Sequence, residues 1–219
     1  MASPIGLFGG SFDPVHLGHL RLATELLEAF KLERVVFVPA GQPWQRGRET
    51  YAKGEDRLEM LKLATGAESR FAVDDRELKR EGPTYTYDTL ADFRREVGPG
   101  VPLVFLCGTD AFGRIETWHR WLELFDLAHF ATAVRADDRE WLSKGPGAVP
   151  RPLWPRITLD LKDLLVAPAG KIMTFSMTPF AISSTAMRSL VATGASIRYL
   201  TPDPVVDFIQ SRSLYQTTR

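Results

Sequence analysis

Residues 5–20, I-G-L-F-G-G-S-F-D-P-V-H-L-G-H-L, join an apolar strand to an amphipathic helix through a turn. Pro4, Ile5, Leu7 and Phe8 read as a short buried strand, and Gly9 and Gly10 let the chain turn without a Cβ clash. Leu20, Ala23, Leu27 and Phe30 then recur at helical spacing. A strand, a glycine turn and a helix start leave free backbone N–H groups and the positive end of the helix dipole facing one point, and phosphate suits such a point.

Two histidines narrow the phosphate chemistry. His16 and His19 are three apart where the helix begins, so a helical first turn puts both rings on one face, and Gly18 lets a ligand approach the backbone. The pattern G-x-x-x-x-G-K-[ST] is absent, and Gly6, Gly9 and Gly10 do not fit G-x-G-x-x-G. Imidazoles that carry positive charge near neutral pH and donate hydrogen bonds suit a phosphorus centre whose oxygens gain charge during transfer. Two histidines could simply cap a helix, but the chain has only 4 and this turn holds two of them.

Outward from this turn, strands alternate with helices, the pattern of an α/β, doubly wound and mainly parallel sheet. Strands are expected at residues 34–39, 71–73, 101–107, 127–134 and 171–175, and helices at 56–64, 87–97 and 205–210. In the helix at 56–64, Leu58, Leu61 and Ala64 form the stripe that packs on the sheet, and this face reads as core. Thr84 or Thr86 can cap the helix at 87–97, and Thr109 or Asp110 can cap a helix after Gly108. The loop after the second strand places Gln42, Trp44, Arg46 and Arg48 at a carboxyl end of the sheet, where ligands bind in open sheets. Residues 136–156 read as a surface excursion with one helical turn, and residues 183–215 as a C-terminal helical part. Ser183, Ser184 and Thr185 open a second helix start able to hold an anion, with Arg188 one turn inside.

With 219 residues, 44% of them hydrophobic, a single domain over 1–219 is expected. Lys plus Arg equals Asp plus Glu at 27 each, so no general attraction to nucleic acid or an anionic membrane is implied, and attraction to phosphate must be local. Cys107 is the only cysteine, which rules out an internal disulfide. No signal peptide or long apolar run is seen, and a cytoplasmic location is expected.

The segment G-G-S-F-D-P-V-H-L-G-H resembles the signature of the nucleotidyltransferase superfamily, and its longer form resembles the bacterial nicotinate-nucleotide adenylyltransferases. E-L-K-R-E-G-P-T-Y-T, T-W-H-R-W at 117–121 and I-S-S-T-A-M-R at 182–188 are similar to further segments of that family, in the same order. The resemblance implies a Rossmann-like fold and adenylyl transfer from ATP to nicotinate mononucleotide, giving deamido-NAD and diphosphate. It implies that His16 and His19 act on the phosphates, and that Gly9, Gly10, Ser11, Phe12, Gly18, Gly108, Asp110, Ser183, Ser184, Thr185 and Arg188 contact ATP. Thr86 and the His119 backbone N–H would hold the pyridine carboxylate, with Trp118 stacked on the ring. The family commonly has Pro-His-Lys where this chain has Trp44-Gln45-Arg46, so a phosphate role for Arg46 rests on a departure from the pattern. Mg2+ is expected to accompany ATP with few or no protein ligands, and no protein metal site is expected; a zinc site at His16 and His19 lacks further ligands. A homo-oligomer is compatible with the family. The alternatives are adenylyl transfer to nicotinamide mononucleotide or pantetheine phosphate, a nucleotide-sensing module without turnover, and an RNA-acting synthetase, which the length and neutral charge oppose.

Overall fold

The computed structural model describes residues 3–42, 52–134, 149–178 and 180–216. Strands β1 (Ile5–Gly10), β2 (Arg34–Pro39), β3 (Phe71–Val73), β4 (Leu103–Gly108), β5 (His129–Val134) and β6 (Ile172–Ser176) form one sheet in the order β3-β2-β1-β4-β5-β6. Every strand pair is parallel. This is the doubly wound order, in which the chain starts at the centre and winds outward in both directions. The direction of winding changes between β1 and β4, and that is where the turn after β1 lies.

The helices are α1 (Leu17–Ala29), α2 (Gly54–Thr65), α3 (Arg76–Lys79), α4 (Thr86–Val97), α5 (Thr109–Phe112), α6 (Leu124–Leu127), α7 (Lys162–Val166), α8 (Ser184–Ala192) and α9 (Asp203–Ser211). Because successive strand residues point to opposite faces, the two faces of the sheet own separate cores. Phe8, Val35, Phe37, Val104 and Leu106 pack with α1, α2, α8 and α9. Ile5, Leu7, Val36, Val38, Phe105 and Phe130 pack with α4 and α6 on the other side.

Several expectations need correction. Gly9 and Gly10 belong to β1 and do not make the turn. They are small because aromatic rings press on the strand: a Cβ on Gly9 would lie 3.3 Å from Phe105 Cζ, and one on Gly10 would lie 3.0 Å from Phe12 Cζ. The positive φ of the turn, 46°, falls on Phe12, a residue only 1% exposed. Burial of that ring holds a backbone conformation that non-glycine residues seldom adopt.

In α2 the buried residues are Arg57, Met60, Leu61, Ala64 and Thr65, while Leu58 is only half-buried. Neither Thr84 nor Thr86 caps α4, since Tyr85 is its N-cap residue and makes no side-chain cap bond. Likewise Gly108 precedes α5, leaving Thr109 and Asp110 inside its single turn. The strand expected from residue 127 starts at His129, because Leu124–Leu127 coils into α6 and buries Leu124 and Phe125. Of the excursion at 136–156, residues 136–148 lie outside the described part. Arg151–Arg156 forms a 3-10 turn that buries Leu153.

Gly41, just past β2, packs on α3, where a Cβ would lie 2.2 Å from the Glu77 carbonyl oxygen. No side-chain rotation relieves a backbone clash, so Gly41→Ala should destabilise the protein by about 1 to 3 kcal/mol. Gly100→Ala, where a Cβ meets nothing within 4 Å, should change stability far less. Urea unfolding of both variants measures the difference, and equal stabilities would contradict the packing described.

Candidate active site

The turn from Ser11 to His16 is neither helix nor strand, yet Phe12, Asp13, Pro14, Val15 and His16 are buried. Buried backbone must find hydrogen-bond partners. Here distant side chains supply them: Arg57 Nη1 donates to Ser11 O at 2.8 Å, Arg188 Nη1 to Asp13 O at 2.6 Å, Ser184 Oγ to Pro14 O at 2.9 Å and Thr201 Oγ1 to Val15 O at 2.9 Å. The Asp13 carboxylate, 2% exposed, accepts from the Ala52 N–H at 3.2 Å and the Tyr215 hydroxyl at 2.6 Å. Burial and the neighbouring Asp13 charge hold the Tyr215 hydroxyl protonated far above its ordinary range.

The turn delivers His16 as the N-cap residue of α1 and His19 in its first turn. Their rings stack at 3.6 Å between centroids with 22° between planes, and His19 also meets the edge of Phe12 at 5.1 Å. The His16 backbone N–H donates to His19 Nδ1 at 3.2 Å. Nδ1 therefore accepts, and the proton of the neutral His19 ring sits on Nε2. Burial lowers the His16 pKa to about 4. Burial, and then the proximity of His16, hold His19 well below its ordinary value. Burial thus favours the neutral form of both rings at pH 7 without ligand. His16 Nδ1 is buried without a hydrogen-bond partner. Gly18 makes room for that ring, since a Cβ there would come within 3.0 Å of His16 Nδ1.

A second cluster sits at the carboxyl ends of β1 and β4. A cavity of about 200 Å³ is lined by Gly9, Gly10 and Ser11 on one side and by Thr86, Gly108, Trp118 and His119 on the other. Trp118 meets Phe105 edge-on at 6.0 Å, and His119 lies tilted against Tyr85 at 4.5 Å. The Trp118 N–H is used by Ile115 O at 2.9 Å. Among the described residues, no acceptor faces the His119 N–H or the Thr86 hydroxyl. The cavity thus joins an aromatic wall to uncommitted donors, close to the first turn of α4.

The cavity and the histidine corner share the end of β1, and of the residues singled out in the sequence Gly9, Gly10, Ser11, Thr86, Gly108, Trp118 and His119 line the cavity. Ser183, Ser184, Thr185 and Arg188 belong to the histidine side: Ser183 Oγ caps α8 by accepting from the Ala186 N–H at 3.2 Å, and Arg188 Nη2 donates to Thr185 Oγ1 at 3.2 Å. Trp44, Arg46 and Arg48 lie outside the described residues, as does the side chain of Asp110.

Sequence reasoning missed Glu77, Thr84 and Thr89, which also line the cavity. Thr89 Oγ1 donates to Glu77 Oε1 at 2.7 Å and accepts from Arg80 Nη1 at 3.2 Å. Glu77 opens the segment E-L-K-R-E-G-P-T-Y-T, but the resemblance assigned a role there only to Thr86. Arg57 was missed because a single cation within an apolar helical stripe carries no motif. No group of three His, Cys, Asp or Glu side chains among the described residues could cage a metal ion, and no helix there is long and apolar enough to cross a membrane.

A doubly wound parallel sheet with a buried turn at its switch point is an architecture of the nucleotide-handling α/β proteins, and the cytidylyltransferase-like family matches residues 7–190. The chain is 46% identical over 218 residues to a "Probable nicotinate-nucleotide adenylyltransferase" of Dechloromonas aromatica, covering 100% of both chains. It is 41% identical to a protein of the same name from Pseudomonas syringae, covering 97% of this chain and 93% of that one. A solved structure of the Plasmodium falciparum nicotinic acid mononucleotide adenylyltransferase complexed with NaAD shares the fold, with a TM-score of 0.69, 18% identity and 97% coverage of each chain. The chain belongs to the nicotinate-nucleotide adenylyltransferase family.

The lowered histidine pKa has a consequence for stability. Below an ordinary value of 6.5 the unfolded chain takes up protons at His16 that the folded chain refuses until about pH 4. Stability is therefore full above about pH 6.5 and declines across this window, by on the order of 3 kcal/mol for a shift of this size. In ligand-free protein His16→Gln should lose less stability than wild type between pH 7 and pH 4.5, as measured by urea unfolding. Equal losses would show that the pair is not held neutral.

Proposed function

We propose that the chain transfers the adenylyl group of ATP to nicotinate mononucleotide, forming deamido-NAD and releasing diphosphate. The observation that carries this reading is the crevice itself, in which an aromatic-walled cavity with uncommitted donors opens beside a histidine-lined helix start. The 5′-phosphate of the mononucleotide is already anionic and nucleophilic. It attacks the α-phosphorus of ATP in line, and positioning with charge stabilisation suffices for catalysis without a covalent intermediate.

In this reading His19 Nε2–H donates to the oxygens of the transferring group, and His16 binds ATP phosphates. The rings are neutral in the free protein, and incoming phosphate charge favours their protonated forms. Gly9, Gly10, Ser11, Phe12 and Gly18 let the nucleotide approach the backbone, Gly108 and Asp110 face its nucleoside part, and Ser183, Ser184, Thr185 and Arg188 hold the outer phosphates. Mg2+ would accompany ATP and offset the charge of its phosphates. Residues 1–219 act together as one nucleotidyltransferase domain.

The pyridine end rests on donor geometry. A carboxylate accepts from the Thr86 hydroxyl and the His119 N–H, whereas an amide would turn its NH2 toward those donors, and Trp118 stacks on either ring. Glu77 favours the opposite choice, since a carboxylate lining the cavity can accept from an amide. Its bond from Thr89, backed by Arg80, partly occupies that carboxylate.

Incubation with ATP and each mononucleotide, followed by product mass and diphosphate release, decides between the acid and the amide. A higher kcat/KM for the amide would overturn the pyridine assignment. Thr86→Val should lower kcat/KM for nicotinate mononucleotide by roughly 10- to 150-fold, the range for losing a hydrogen bond to a charged group, and leave the amide little changed. His19→Ala should lower kcat by roughly 100- to 1,000-fold, the scale for losing one donor to a transition-state oxyanion, with mononucleotide binding largely kept. A kcat close to wild type in His19→Ala would remove the histidine from the chemistry.

A further inference from the structure

Arg57 is 1% exposed, a burial that arginine tolerates only when its donors are matched. Its Nη1 donates to Ser11 O and its Nη2 to Ala40 O, both at 2.8 Å. These are the first carbonyls beyond β1, which ends at Gly10, and β2, which ends at Pro39. Ser11 and Ala40 line the cavity, whereas Arg57 stands behind them and does not. Arg57 Nε is buried without a partner, so the guanidinium is not optimally satisfied as a core group. Apolar replacements of buried ion pairs are often as stable or more so, and fold stability alone gives a weak account of an arginine here.

The peptide plane supplies what the clamp does. A trans peptide points its C=O and N–H in opposite directions. The Ser11–Phe12 bond is trans, so a Ser11 carbonyl held toward Arg57 turns the Phe12 N–H away from it. No acceptor among the described residues meets that N–H. The adjacent φ of 46° at Phe12 lies where a non-glycine backbone does not rest unaided, so an external hold on the preceding carbonyl matters.

We propose that Arg57 is a positioning residue for adenylyl transfer: by gripping the Ser11 and Ala40 carbonyls it fixes the gap between the ends of β1 and β2 and aims the Phe12 N–H at the reacting phosphate. This rests on the function proposed above. The clamp needs two donors in a fixed plane, which lysine cannot provide. Its effect falls on kcat, because a donor aimed at a phosphoryl oxygen contributes most as charge develops, while the mononucleotide's ring contacts lie elsewhere in the cavity.

Arg57→Lys and Arg57→Ala test the idea through turnover, melting temperature and KM for the mononucleotide. Arg57→Lys should fold and lower kcat by about 10- to 100-fold, the scale of a misplaced catalytic geometry, with KM changed by less than about 3-fold. Added guanidinium should restore part of the lost kcat in Arg57→Ala, and methylammonium, a single-point donor, should not. A folded Arg57→Lys with wild-type kcat overturns the proposal. So does an Arg57→Ala in which guanidinium raises the melting temperature without raising kcat, since that describes a structural cation only. Wild type releasing no diphosphate with any pyridine mononucleotide would sink the functional reading and the proposal with it, whereas an active wild type beside an unaffected Arg57→Lys sinks the positioning role alone.

Discussion

A buried turn with no secondary structure of its own is the constraint around which this protein is arranged. Between Ser11 and Val15 the chain cannot satisfy its own carbonyls, and water is largely excluded. The partners come from α2 (Arg57), from α8 (Ser184 and Arg188) and from Thr201, elements that join the sequence 46 to 186 residues later. Each hydrogen bond to a buried carbonyl matters less for the energy it adds than for the penalty its loss would leave, roughly 1 to 3 kcal/mol per unsatisfied group. The turn is thus specified by the whole fold, and the two histidines it carries inherit that rigidity.

The same burial sets the electrostatics. A histidine pair exposed to water would titrate near neutrality. Stacked at 3.6 Å, the two rings cannot both carry charge cheaply, and the resting site is neutral. A neutral ring with its proton on Nε2 is still a hydrogen-bond donor, so the site can receive an anion without first holding a cation in a dry place. The overall balance of 27 basic and 27 acidic residues implies no general attraction for anions, so any such attraction must be local.

Much of the architecture was legible because parallel strands buried on both faces read as short apolar runs. β2 and β3 fall where the pattern placed them, and the parallel pairing follows from alternation of strand and helix, whereas the strand order does not. The histidine turn was legible as a motif. What escaped was the reason for its parts: the glycines serve ring packing, and the left-handed residue is a phenylalanine whose φ only tertiary burial explains. Arg57, Glu77 and Thr89 escaped for a related cause. Their importance depends on which side of a helix meets the crevice, and polar residues carry no periodic signal of that. The helix ends were misassigned where threonine propensity suggested caps that tertiary geometry left unused.

The bond between the Tyr215 hydroxyl and Asp13 spans 202 residues and ties the last described turn of the chain to its first loop. On a ribosome moving at 5 to 20 residues per second, roughly 10 to 40 s separate the synthesis of the two. Throughout that interval the nascent chain holds its histidines on a loop without its C-terminal partners, Ser184, Arg188, Thr201 and Tyr215. The protein therefore completes its histidine corner only as its final helices emerge, and a message cut short near its 3′ end yields the first strand and its turn without the clasp that shapes them.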